Sequence, residues 1–224
     1  MTPFELEARS GLVPLFPLPD NCLLPGELQA FHIFEPRYRK LLADALEGEG
    51  LIGMPRFLSN WSRGEFAHPA VRPVFGVGRI VSHEALQGGT SDIVLQGIAR
   101  VRLVDVLRES PYRLARVAEL PEHLSDPERL RQIVQELFDL VARASSDLSS
   151  ICYRSASDQV PALELPGRLA RYIRFDKGVK QGLLETDDLV ERLVLLRDCL
   201  RSGECSVFRR EPNLAIRTQK PFPN

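Results

Sequence analysis

The sequence predicts an α+β protein: a β-rich N-terminal part, curled into a small sheet or barrel with one inserted helix, followed by a C-terminal helical bundle. Three observations predict it. Strand-like runs crowd residues 13–120 with few helices between them, which argues against βαβ units. One amphipathic helix interrupts these runs after Pro36. Beyond Pro121 the apolar residues recur with a helical period. The expected division is 11–120 for the β-rich part, 121–203 for the helical part and 204–224 for a tail.

The elements follow in order. VPLFPL is a short extended run cut by prolines. Pro36 suits the first helical position, where a missing N–H costs nothing. Tyr38, Leu41, Leu42, Ala45 and Leu46 then form one apolar stripe, and Gly48 suits the position after the helix. GLIGMPRFL (50–58) and FGVGRIVSHEAL (75–86) read as strands, and GGT (88–90) as a turn. Residues 92–109 form a longer strand in which Gly97 marks a bulge or bend. Ser110-Pro111 breaks the chain before YRLARVAEL.

In the second part, Asp126 caps and Pro127 opens a helix carrying Leu130, Ile133, Val134, Leu137, Val141 and Ala144 at helical spacing. Residues 145–158 carry no legible boundaries. LPGRLARYI reads as a short helix with Leu165, Leu169 and Ile173 inward, and VKQGLLET as a short helix or turn. Thr186 is expected to cap a final helix that buries Leu189, Leu193, Leu196 and Leu200 and stops at Gly203. The basic, proline-containing end reads as a solvated terminus.

Composition narrows the functional classes. Of 224 residues, 44% are apolar and 26% charged, as in an ordinary globular protein, and the net charge of −1 gives no support to a general nucleic-acid binder. No apolar run approaches the roughly 18 residues that span a bilayer, so no membrane partner is expected. The N-terminus lacks the pattern of a secretory signal, and a cytoplasmic location is expected. Cys22, Cys152, Cys199 and Cys205 form no CxxC and read as buried free thiols. No Walker A, GxGxxG, GxSxG or HExxH pattern is present. His32, His68, His83 and His123 are scattered, and none of the four lysines stands in a nucleophile context. The expected catalytic, cofactor and metal residues are therefore none, and the protein is not expected to be an enzyme.

The densest concentration of charge and aromatics is HIFEPRYR, from His32 to Arg39. Its preferred physical reading is structural, with direct ligand contact by Arg37 or Arg39 as the alternative. Pro36 starts the helix, and Glu35 stands where free N–H groups and the helix dipole favour a carboxylate. An arginine can hold that carboxylate by two parallel hydrogen bonds.

These residues also carry a resemblance. LFPLPDNCLLPGELQAFHIFEPRYRKLLADAL resembles the opening of the Lon N-terminal domain through Phe16, Pro17, Pro25, Gly26, Phe34, Glu35, Pro36, Arg37, Tyr38 and Arg39. GVGRI, LQGIARVRL, PYRLARV and KQGLLETDDLVERLVLL resemble later segments of the family, so the likeness spans roughly residues 11–201. Two departures stand out. Gln87-Gly88-Gly89-Thr90 replaces a turn that is often Asp-Gly-Arg, and Gln29-Ala30 replaces a more apolar run.

The resemblance implies a PUA-like pseudo-barrel followed by a helical bundle, with no ATPase or protease module. It implies a bacterial-type, proteolysis-related protein-binding module that engages unfolded or client segments, alone or with a protease or chaperone system. The ten residues named above are expected to be a structural signature, and an exposed apolar patch between sheet and helices is expected to bind. Two alternatives stand beside this reading. One is an RNA-binding PUA-like protein using Arg100, Arg102, Arg113 and Arg116, and the other an unrecognised enzyme.

Overall fold

The computed structural model describes residues 11–58, 69–144, 162–170, 173–203 and 205–207. The β-rich part contains β1 (Leu12–Leu15), β2 (Leu28–Ile33), β3 (Leu51–Met54), β4 (Val74–Ala85), β5 (Ser91–Arg108) and β6 (Arg113–Glu119), with helix α1 (Pro36–Glu47) between β2 and β3. The second part contains α2 (Pro127–Ala144), α3 (Leu165–Leu169), α4 (Lys177–Glu185) and α5 (Leu189–Ser202). Two short strands, β7 (Ile173–Arg174) and β8 (Ser206–Val207), form a separate antiparallel pair.

The expected barrel is corrected by the strand pairing. The six strands form one mixed sheet in the order β2-β5-β4-β3-β1-β6, in which β1 and β3 are parallel and the other pairs antiparallel. Among the described residues β2 is paired only with β5, so the sheet keeps an edge strand that a closed barrel lacks. A further pairing joins β5 to β6 through the far end of β5, beyond the reach of β2. The 18-residue β5 thus serves two neighbours in succession along its length. A high density of strands in the sequence reports a sheet but not how it ends. The AFHI run of β2 was also hidden, because the turn and helix signals of EPRYR follow it directly.

Gly97 does mark an irregularity. Val77 pairs with Ala99 and Gly78 with Gly97, which leaves Ile98 as the extra residue of a bulge. The segment Cys22–Glu27 crosses the sheet at this point. It makes a tight turn in which Glu27 N donates to Leu24 O at 3.0 Å, with Gly26 at φ 81°. Gly26 N and Gly97 N then exchange hydrogen bonds with Gly97 O and Glu27 O, both at 2.8 Å. A side chain at Gly76 or Gly97 would collide with the carbonyls of Leu23 or Leu24. These glycines let a backbone lie flat on the sheet.

Among the described residues three apolar clusters make the core. Val13, Leu15, Phe75, Val77, Val101 and Ala115 pack together on one side of the sheet. Helix α1 seats Tyr38, Leu41, Leu42 and Ala45 against Ile52, Met54, Ile93 and Leu95, while Leu46 of the expected stripe is exposed. The helices α2, α4 and α5 enclose Ile133, Leu137, Leu183, Leu184, Leu193 and Leu196, and this cluster reaches the sheet through Leu24 and Val74.

Asp126 caps α2 as expected, accepting from the N–H groups of Glu128 and Arg129. The last helix is capped differently from expectation. Asp188 accepts from Glu191 N at 3.1 Å, whereas Thr186 ends α4 and donates its hydroxyl to Gly182 O. Gly203 ends α5 in the left-handed region at φ 78°.

Candidate functional site

The signature residues flank β2: Pro25 and Gly26 lie at the end beside Gly97, and the Phe34–Arg39 group at the other end, where Arg39 meets Gly89. Phe16, Pro17, Pro25, Gly26 and Tyr38 are buried, and Phe34 and Glu35 are half-buried. Phe16 meets Tyr38 and Phe31 edge-on, at ring distances of 4.6 and 5.7 Å. Glu35 occupies the cap position of α1, and its carboxylate accepts from Arg37 Nε and Nη2 at 2.9 and 2.8 Å. The Arg37 guanidinium also covers the Tyr38 ring at 4.5 Å. Arg39 is exposed, with its guanidinium against Gly89 of the 87–90 turn. Pro36 is exposed at the first helical position.

The four arginines named for nucleic-acid contact do not share a face. Arg100 is only 1% exposed. Its Nε donates to Glu122 at 3.1 Å and its Nη1 to the carbonyls of Leu184 and Thr186 at 2.6 and 3.0 Å. Arg113 is buried as well, donating to Glu109 and to Pro69 O. Arg102 lies on the same face of β5 as Arg100 but beyond the cover of the helices, and it and Arg116 are exposed. Two of the four are thus bound up in holding the fold.

The junction of sheet and helices is filled rather than open. Arg192 of α5 donates to the second oxygen of Glu122 at 2.8 Å, so one carboxylate bridges Arg100 and Arg192. Burial holds the Arg192 guanidinium below its usual pKa, and Glu122 opposes that shift. Nearby, Lys180 of α4 pairs with buried Glu27 at 2.5 Å, and Gln181 donates to Val74 O at 3.0 Å. Glu27, Glu122, Lys180, Gln181 and Arg192 were not singled out from the sequence. Their partners lie tens of residues away, and no local pattern announces them.

Exposed apolar side chains gather elsewhere, on the outer face of β1, β6 and the far half of β5. Cross-strand register places Leu12 beside Arg116 and Arg116 beside Asp105, then Pro14 beside Leu114 and Leu114 beside Arg108. Register shifts at residues 104 and 107 add Val104 and Leu107, which are 58% and 43% exposed. Leu12 is exposed and Pro14 and Leu114 are half-exposed. The result is an apolar strip set among Arg102, Arg108, Arg116 and Asp105.

The cysteines depart from the free-thiol expectation. Cys199 and Cys205 form a disulfide with a Cα–Cα distance of 5.7 Å, while Cys22 is a buried free thiol and Cys152 lies outside the described residues. Among the described residues no group of three His, Cys, Asp or Glu could hold a metal ion, and no helix is long and apolar enough to cross a membrane.

Comparison with known proteins agrees with this construction. Residues 12–202 match the ATP-dependent protease La (LON) substrate-binding domain. The chain is 26% identical over 204 residues to Lon protease 2 of Myxococcus xanthus, covering 84% of this chain and 23% of that protein. It is 28% identical over 213 residues to Lon protease 2 of Sorangium cellulosum, covering 87% and 25%. The chain thus spans about a quarter of the length of the curated relatives it matches. The fold resembles the N-terminal domain of a Lon protease from the Mycobacterium avium complex, with a TM-score of 0.62 at 20% identity, covering 85% and 98% of the two chains. It also resembles a Lon N-terminal domain protein from Xanthomonas campestris, with a TM-score of 0.55 at 22% identity, covering 83% and 96%. The matched region is the non-catalytic N-terminal part of those proteases, and the chain belongs to the Lon substrate-binding domain family.

Proposed function

We propose that this chain binds unfolded or client protein segments in the cytoplasm of a bacterial-type cell, in company with a protease or chaperone system, and that they dock on the outer β1–β6–β5 face. The observation that carries the reading is the strip of Leu12, Val104 and Leu107, extended by Pro14 and Leu114. Large apolar groups gathered on one face favour association, whereas single exposed ones are ordinary. The interleaved arginines supply donors for the backbone carbonyls of an extended segment. The sheet–helix junction, where an open patch was expected, is occupied by Leu24, Val74 and the Arg100–Glu122–Arg192 bridge.

The test is equilibrium binding to a reduced, alkylated and permanently unfolded polypeptide. The double variant Val104→Asp, Leu107→Asp is expected to bind at least about tenfold more weakly with little change in melting, because both residues are exposed. Undiminished binding by that variant would remove this face from the proposal, and no binding by the unaltered chain would remove the function.

A further inference from the structure

We propose that Cys199 and Cys205 form a redox-sensitive latch that fastens the chain beyond α5 to the helical unit. Cys199 lies on the buried side of α5, and Gly203 reverses the chain so that Cys205 returns to the same apolar cluster. Both residues are buried, and their 5.7 Å Cα–Cα distance is ordinary for a protein disulfide. Directly after Cys205, β8 pairs with β7 through Ser206 and Arg174 and through Val207 and Ile173. A ladder of two residues on each strand cannot hold itself together in water. The sulfur link, with Cys205 seated in the apolar cluster, anchors it.

The location gives the latch consequences. β7 leads into Asp176, whose side chain caps α4 by accepting from Gly178 N at 2.7 Å. α4 carries Lys180 and Gln181, which grip Glu27 of the crossing segment and Val74 of the sheet. The link therefore ties the end of α5, through β8 and β7, to the start of the helix that docks on the sheet. Reduction releases β8 while the apolar contacts of α5 remain.

The chemistry is thiol–disulfide exchange with a small-molecule disulfide. One protein thiolate attacks it, forming a mixed disulfide and releasing one small thiol; the second protein thiolate then displaces the other. One protein S–S bond forms and one small-molecule S–S bond breaks. Two electrons pass to the oxidant, and the two protons leave with the small thiols. A dithiol runs the sequence backwards. Because both sulfurs are buried, exchange requires Cys205 and β8 to lift away from α5.

The full chain is incubated with glutathione disulfide or with dithiothreitol, alkylated and digested with trypsin. Trypsin separates Asp198–Arg201 from Ser202–Arg209, so an intact latch appears as these two peptides joined. The joined pair is expected in the oxidised sample and absent from the reduced one. In native-state limited proteolysis with a protease of broad specificity, cleavage between Ser202 and Val207 is expected to be at least about tenfold faster on reduction, with residues 74–119 still protected. Cys205→Ser in the oxidising buffer is expected to reproduce the reduced pattern. Failure to form the joined pair with glutathione disulfide would overturn the latch, as would equal cleavage in both states. Cleavage throughout the sheet on reduction would also overturn it, because the bond would then support the whole fold.

Discussion

Arg100 and Arg102 stand two residues apart on β5, and the two positions differ in nearly everything physical. Arg100 is buried and donates to Glu122 and two carbonyls of the helical part, whereas Arg102 faces solvent. Removing a buried charge partner strands the groups it served, so Arg100→Ala is expected to cost about 3–5 kcal/mol in denaturant unfolding. Arg102→Ala is expected to change stability by no more than about 0.5 kcal/mol. That both arginines share one face of the strand was legible in the sequence; which one the helical part covers was not, because its partners begin at Glu122 and end at Thr186. Glu35 gives the opposite lesson. Its placement at the start of α1 was readable from Pro36, and its partner is the neighbouring Arg37. Alkaline pH probes two buried groups, Tyr38 in the α1 cluster and Cys22 in the cluster of the helical part. Burial pushes the Tyr38 hydroxyl up to about 12 and the Cys22 thiol up to about 11. Raised pKa values mean the folded state holds these protons more tightly. Their contribution is complete below the unfolded values of 9.0 for Cys22 and 10.0 for Tyr38, and is lost as pH rises through the folded ones. Melting temperature is therefore expected to fall between about pH 9 and 12, with Tyr38→Phe flattening the upper part of the fall.

Among the elements, the segment Cys22–Glu27 explains why so much of the signature is proline and glycine. Pro25 and Gly26 shape its turn, and Gly76 and Gly97 of the sheet leave room for its carbonyls. Gly97→Ala places a methyl group against the Leu24 backbone, which cannot swing aside as a side chain would. The expected loss is about 3 kcal/mol or more in denaturant unfolding. Periodicity located α1, α2 and the strands β3 to β6, because each buries one face and writes that face into its sequence. It missed β2, whose pattern runs without a break into the helix start. It also placed the cap of α5 two residues early, at Thr186 and not Asp188, since both side chains are competent acceptors and only the backbone decides between them.

At the scale of the whole molecule, the sheet and helices are tied together by bridging ion pairs, Glu27 with Lys180 and Glu122 with Arg100 and Arg192. That makes the junction a fastening and leaves the outer β1–β6–β5 face as the proposed place of contact. Family membership was legible in LFPLP and IFEPRYR, which are marks of construction. The face itself was not legible, because Val104 and Leu107 are exposed through register shifts that no spacing rule reveals. The most direct measurement places a photo-crosslinking side chain at Val104, at Leu107 and, as a control, at exposed Val81 on β4, and illuminates each full chain with an unfolded polypeptide. Capture is predicted from positions 104 and 107 at several times the yield from 81. Equal capture from all three positions, or capture from 81 alone, would contradict the assignment of client binding to this face.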